Sequence, residues 1–199
     1  MGKMALAAQM GGAVAIRANG VDDIKEIKQM VDLPIIGLIK QEYPNHKRYI
    51  TPTIKEIKSL IEVGVDIIAL DVTYRDNQNS FNFKEQLDFI HAHEILAMAD
   101  ISTYEEGIEA EKLGFDIIST TLSGYTEYSK QSCEPDYDLV KKLVKKVQIP
   151  VIAEGKINSH EHLKKVLKSK PFAVVIGGAI TRPQQITKSY ADIIEAIKK

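Results

Sequence analysis

Thr53-Ile54-Lys55-Glu56-Ile57-Lys58-Ser59-Leu60-Ile61-Glu62-Val63-Gly64-Val65-Asp66-Ile67-Ile68 is a complete helix-to-strand unit. Thr53 and Glu56 fit a capping box. Ile54, Ile57, Leu60 and Ile61 form an apolar stripe at helical spacing. Gly64 then stops the helix, and Ile67-Ile68 opens a strand. The same punctuation returns from Thr103 through Glu106 and Gly114 to Asp116-Ile117-Ile118. One unit reused along a chain points to a repeated β/α architecture.

Working outward, short apolar runs recur near Val14, Ile35, Ile67, Ile95, Ile117, Val151 and Val174, with amphipathic segments between them. Strand and helix in such regular alternation predict a parallel sheet covered by helices. A further capping pattern lies at Thr181-Arg182-Pro183-Gln184, with Pro183 in the first turn of a last helix. The spacing gives seven strands and eight helices, the first helix from about Lys3 to Met10. A barrel of eight β/α units needs a strand ahead of that helix, so either the sheet is open or the N-terminal strand is missing. Residues 1–199 are expected to form one domain, since no low-complexity tract or Pro/Gly-rich linker interrupts them. About 250 residues is typical of such barrels, and this chain is shorter.

Six of the runs end in polar side chains: Arg17, Lys40, Asp71, Asp100, Thr120 with Thr121, and Glu154. The seventh ends in Gly177-Gly178. In a parallel barrel the strand C-termini share one face, where active sites are built. These residues are therefore the candidate site.

Lys40 follows Ile35-Ile36-Gly37-Leu38-Ile39. Partial desolvation there would lower its pKa and suit it to act as a general base or to form a Schiff base. The alternative is a surface lysine just past the strand. Glu154 could act as acid or base or hold a sugar hydroxyl; a helix cap or an ion-pair partner is equally open. At one face, Lys40 and Glu154 would each influence the other's charge state. Gly155, Gly177 and Gly178 permit close backbone approach, and Arg182 adds a bidentate cation, a combination that favours phosphate over a plain tight turn.

The histidine pairs His91/His93 and His160/His162 are two apart and diverge on a helix. Asp71 and Asp100 could hold a divalent ion, but sugar hydroxyls suit them better. No metal site is predicted. The single cysteine, Cys133, lies in a polar loop with no histidine nearby and reads as incidental; a lone cysteine fits a cytoplasmic protein. A net charge of −1 offers no field for nucleic acid or a membrane surface, and no apolar run approaches a membrane span or a signal-peptide core.

Longer strings carry a resemblance. Ile16-Arg17-Ala18-Asn19, Gly37-Leu38-Ile39-Lys40, Ile50-Thr51-Pro52-Thr53 and Ala69-Leu70-Asp71-Val72-Thr73 come first. Met98-Ala99-Asp100-Ile101-Ser102, Thr120-Thr121-Leu122-Ser123-Gly124-Tyr125-Thr126, Ile152-Ala153-Glu154-Gly155 and Gly177-Gly178-Ala179-Ile180-Thr181-Arg182-Pro183 follow. In this order they resemble the N-acetylmannosamine-6-phosphate 2-epimerase family over nearly the whole chain. The resemblance implies a TIM (β/α)8-type barrel. It implies cofactor- and metal-free interconversion of N-acetylmannosamine 6-phosphate and N-acetylglucosamine 6-phosphate in sialic acid catabolism. It makes Lys40 the catalytic acid/base and Glu154 its carboxylate partner, with Arg17 and Asp100 on the substrate and Arg182 on the phosphate. It also implies a homo-oligomer, with a dimer favoured. The family's N-terminal strand, with its Ser-Cys-Gln-Ala-Leu string and substrate-contacting glutamine, has no counterpart here; Val72 and Lys156 are smaller departures.

Two rivals remain. A metal-dependent pentose-phosphate 3-epimerase would want histidines at strand ends, and none is found there. A non-catalytic sugar-phosphate-binding barrel would tolerate the short N-terminus, yet Lys40, Glu154 and the glycine loops are intact.

Overall fold

Seven parallel strands form one sheet in simple sequential order: β1 (Ile16–Asn19), β2 (Ile35–Leu38), β3 (Ile67–Asp71), β4 (Leu96–Asp100), β5 (Ile117–Ser119), β6 (Val151–Glu154) and β7 (Ala173–Val175). The computed structural model describes residues 1–44, 46–75 and 83–197. Between the strands run α2 (Val21–Lys28), α3 (Ile54–Val63), α4 (Phe83–His91), α5 (Tyr104–Leu113), α6 (Tyr137–Lys146) and α7 (His160–Leu167), with α1 (Gly2–Met10) before β1. After β7 come a short α8 (Gly178–Thr181) and a long α9 (Pro183–Ile197). The sheet curls into a nearly closed, TIM-like barrel.

The repeated unit folds as its sequence predicts. Thr53 and Thr103 both make complete capping boxes with Glu56 and Glu106. Gly64 and Gly114 both end their helices in the left-handed region, at φ 78° and 98°. The third capping pattern does not form. Thr181 ends α8 and its hydroxyl donates to the Gly177 carbonyl (3.1 Å), while α9 opens on Pro183. The first strand also begins later than the apolar run suggests, leaving Val14 exposed.

The inner strands β2 to β6 are largely buried on both faces, and the pleat sorts their side chains into two cores. Ile35, Ile68, Leu70, Ala97, Ala99, Ile118 and Val151 pack outward against the helices. Ile36, Leu38, Ala69, Met98, Ile117 and Ile152 fill the barrel interior with Ile50 and Leu122. Alternation with period two is what a strand imposes. Arg17 pairs in register with Ile36 of the interior set. Asp71, Asp100, Ser119 and Glu154 each lie two residues past an interior apolar residue. The same pleat that fills the barrel therefore raises these polar groups above its floor.

Among the described residues, β1 and β7 each pair with one neighbour. The outer side of this end is thinly covered. No residue of α9 is buried, and Tyr190, Ile193, Ile194 and Ile197 are exposed.

The loops above the strands are tied by one buried carboxylate. Glu106 Oε2 accepts from Ser102 N (2.6 Å), Ser102 Oγ (2.8 Å) and Thr103 N (3.0 Å). Its Oε1 accepts from Tyr74 N (2.8 Å) and the Tyr128 hydroxyl (2.6 Å). Burial and the bond to Glu106 push the Tyr128 phenol up to about 12. Three successive βα loops thus hang on one side chain. Glu106→Ala would strand several buried donors, each costing about 1–3 kcal/mol. Chemical denaturation should show a loss of about 3 kcal/mol or more; a loss below about 1 kcal/mol would mean the loops hold without it.

Candidate functional site

The polar strand ends converge on one ion cluster. Arg17, from β1, meets Asp100, from β4, across the barrel mouth through two bonds: Nη1 to Oδ1 at 3.1 Å and Nη2 to Oδ2 at 2.6 Å. Its Nε lies 3.4 Å from Oε1 of Glu154, at the end of β6. The three side chains are 9%, 0% and 17% exposed. One guanidinium therefore serves two carboxylates at a largely buried site.

Burial alone would lower the pKa of Arg17, but the charges of Asp100 and Glu154 outweigh it and hold the guanidinium above its usual range. Glu154 moves the other way from an ordinary carboxylate. Burial, reinforced by the charge of Asp100, raises its pKa against the pull of Arg17. Thr121 and Ser119 complete the cluster. Thr121 Oγ1 is 2.6 Å from Asp100 Oδ1 and 3.1 Å from Glu154 Oε2, and Ser119 Oγ is 2.8 Å from Thr121 Oγ1. Thr120 turns away from this group and bonds the Glu154 backbone.

Of the two readings open to Lys40, the structure has the surface lysine just past its strand. It stands at the mouth just beyond β2, bridged to Ile50, but its side chain is exposed rather than desolvated. The run before it ends in a loop that lifts it off the apolar floor. Its ammonium lies 5.9 Å from the ring centroid of Tyr49. Among the described residues no ion pair joins it to Glu154, whose cationic partner is Arg17. The expected Lys40–Glu154 charge pair is thus replaced by Arg17–Glu154.

Asp71 pairs in register with Asp100 but joins a separate group. Its Oδ1 accepts from Thr73 N (3.1 Å) and Thr73 Oγ1 (2.6 Å), and Oδ2 lies 3.5 Å from Arg75. Burial raises its pKa against these bonds. Arg75 also bonds the Tyr125 carbonyl and lies 5.2 Å from the Tyr49 centroid, so it straps neighbouring loops over the mouth. Among the described residues no three His, Cys, Asp or Glu side chains are grouped to hold a metal ion.

On the far side, Gly155 (φ 106°) follows Glu154, and Gly177-Gly178 opens α8 beside it, since Glu154 and Val175 are in register. Arg182 is exposed, with Nη1 3.5 Å from Gln185 Oε1. A guanidinium next to two glycine turns forms an anion-facing corner. Cys133 is exposed and apart from all of this.

Sequence reading overlooked two contributors, Ser119 and Arg75. Ser119 was recoverable from the period-two rule, since it lies two residues past the interior Ile117 and two before Thr121. Arg75 had no such signal, because it lies beyond a strand end and reaches the mouth only through its loop.

This geometry can be set beside known proteins. A family model described as N-acetylmannosamine-6-phosphate epimerase (NanE) matches residues 1–196. The chain belongs to the N-acetylmannosamine-6-phosphate epimerase family. A relative named as an N-acetylmannosamine-6-phosphate 2-epimerase, from Clostridium perfringens, is 60% identical over 195 residues, covering 98% of this chain and 88% of its own. One from Caldanaerobacter subterraneus is 54% identical over 197 residues, covering 98% of this chain and 83% of its own. The solved N-acetylmannosamine-6-phosphate 2-epimerase from Clostridium perfringens superposes with a TM-score of 0.92 at 59% identity, over 96% of this chain and 84% of that one. Thiamine phosphate pyrophosphorylase from Pyrococcus furiosus, at 19% identity and a TM-score of 0.64, shares the fold alone.

The raised Glu154 pKa makes a stability prediction. The folded carboxyl binds its proton more tightly than the unfolded one, so it costs stability as pH rises from the ordinary value of 4.5 through the raised folded value. Glu154→Gln removes that slope. The melting temperature of the variant should gain on wild type as pH rises from about 4 to 7. A difference that stays flat across this range would mean that the folded carboxyl titrates normally.

Proposed function

We propose that this chain interconverts N-acetylmannosamine 6-phosphate and N-acetylglucosamine 6-phosphate by proton transfer at C2, as an isomerase of sialic acid catabolism. The observation that carries this reading is the mouth itself. A buried acid on an arginine, a free lysine and a glycine–arginine corner share one face, in a chain 60% identical to a relative named for that reaction. The corner of Gly155, Gly177, Gly178 and Arg182 receives the phosphate. Arg17, Asp100 and Asp71 are positioned for the sugar hydroxyls.

The chemistry follows from the acidity of carbon. C2 gives up a proton readily only when C1 is an open-chain aldehyde, so the ring opens first. Glu154, inclined by burial to hold its proton, is suited to protonate the ring oxygen as the C1–O bond breaks, while the C1 hydroxyl gives up its proton to water and becomes the aldehyde oxygen. Lys40, as the free amine, then takes the C2 proton, and the C2–H electron pair moves into an enolate at the C1 oxygen. Return of a proton to the opposite face of C2 inverts the centre. Protons move and no electron is gained or lost, so the route calls on no redox cofactor. The pentose-phosphate alternative lacks strand-end histidines, and the non-catalytic alternative leaves the buried acid and its arginine without a task.

Homo-oligomerisation, with a dimer favoured, is supported by the exposed Tyr190, Ile193, Ile194 and Ile197 of α9. Sedimentation velocity should show a species of twice the chain mass; a single monomeric boundary at micromolar concentration would count against it.

The activity itself is read by proton NMR of N-acetylmannosamine 6-phosphate in deuterated water. N-acetylglucosamine 6-phosphate should appear with deuterium at C2. Lys40→Ala should lower turnover by roughly 10²–10⁴-fold, the usual worth of a general acid or base. Unaltered turnover in that variant, or substrate that neither converts nor exchanges with wild type, would defeat the assignment.

A further inference from the structure

Thr121 stands between two carboxylates and has one hydroxyl proton to give. Its oxygen is 2.6 Å from Asp100 Oδ1 and 3.1 Å from Glu154 Oε2. The shorter distance is that of a charge-assisted O–H···O⁻ bond. Asp100 is the group that carries charge, because both its oxygens face the Arg17 guanidinium. The Thr121 proton therefore points at Asp100. A lone pair is left facing Glu154, and a lone pair facing an ionised carboxylate at 3.1 Å would be repulsive. Ser119 Oγ, 2.8 Å from Thr121 Oγ1 and 3.4 Å from Glu154 Oε2, can donate to the remaining lone pair.

The charge count agrees. Among the described residues, the other charged groups around the mouth have their own partners or lie in solvent. Lys40, beyond β2, is exposed against Tyr49. Asp71 and Arg75, from the end of β3, are paired with each other. Lys156, on Glu154's own loop, donates to the Ser132 carbonyl at 2.6 Å. Arg17 is left facing Asp100 and Glu154, one positive against two negative charges in a nearly dry site. One added proton brings the cluster to neutrality, which is the arrangement burial favours.

We infer that Thr121 is a positioning residue through which Glu154 and Asp100 share a single proton: the Glu154 carboxyl donates to Thr121 Oγ1, and Thr121 donates to the Asp100 carboxylate. The array can also run in reverse register. The Glu154 O–H bond breaks as a Thr121 O–H bond forms, and the original Thr121 proton passes to Asp100. No charge leaves the cluster. Resting on the epimerase reading of the site, this gives Glu154 access to both its acid and its base form, as a reversible ring opening requires.

The test uses ligand-free full-length protein and infrared difference spectroscopy, so it does not depend on turnover. Wild type should show a protonated-carboxyl C=O band at neutral pH that Glu154→Gln lacks. Thr121→Val removes the acceptor, so the band should shift in frequency and its titration midpoint should fall by about half to one pH unit. Thr121→Ser should restore both. If the valine variant does not fold, Thr121→Ala reads the same two quantities. Absence of the band in wild type would overturn the proposal. So would a midpoint that stays put, or one that rises, which would mean Thr121 donates to Glu154. An inactive wild type with the predicted band would instead sink the functional reading and leave the shared proton standing.

Discussion

A parallel strand covered on both faces has no place for a polar side chain until it ends, and the whole molecule is arranged around that constraint. The outward residues meet helices and the inward residues meet each other, as Ile68 and Ala69 of β3 do on opposite sides. Only at the C-terminal rim does the interior face open. Every strand meets the rim in the same direction, so the inward polar residues of β1, β3, β4, β5 and β6 gather at the same end of the barrel. Arg17, Asp100, Ser119 and Glu154 are brought together by this rule before any attraction among them is considered.

Having been assembled by the pleat, the cluster is governed by desolvation. A single buried guanidinium cannot fully compensate two carboxylates at low dielectric, so one of the acids gives way. Asp100 has the bidentate contact; Glu154 has the longer, single contact at 3.4 Å, and burial moves it toward its neutral form. The catalytic character of Glu154 in the proposed reaction is in this sense a product of unequal geometry around Arg17. The loops above contribute rigidity. Glu106 and Arg75 tie the described parts of neighbouring βα segments together.

Much of this could be read from the chain alone because its signals are local. Capping boxes at Thr53 and Thr103 and stop glycines at Gly64 and Gly114 act within one turn, and the structure reproduces them. The pattern at Thr181 failed because the chain used the same residues for the separate turn of α8, a choice made by the glycine pair ahead of it. The placing of Lys40 stayed open in the sequence for a related reason. An apolar run predicts burial of the run, but the residue after it can be carried outward by the loop it begins.

The sequence by itself determined the alternation of elements, the inward or outward sense of each strand residue, and hence which side chains reach the rim. These follow from periods of two and 3.6 residues, which are properties of the backbone. Which rim residues touch each other was decided only in three dimensions. Glu154 pairs with Arg17 rather than Lys40, and Asp71 with Arg75 rather than with the central cluster. Curvature brings β1 across the mouth from β4 and sets distances of a few ångströms between residues far apart in the chain. At that range, burial and Coulomb energy choose partners that no linear spacing encodes.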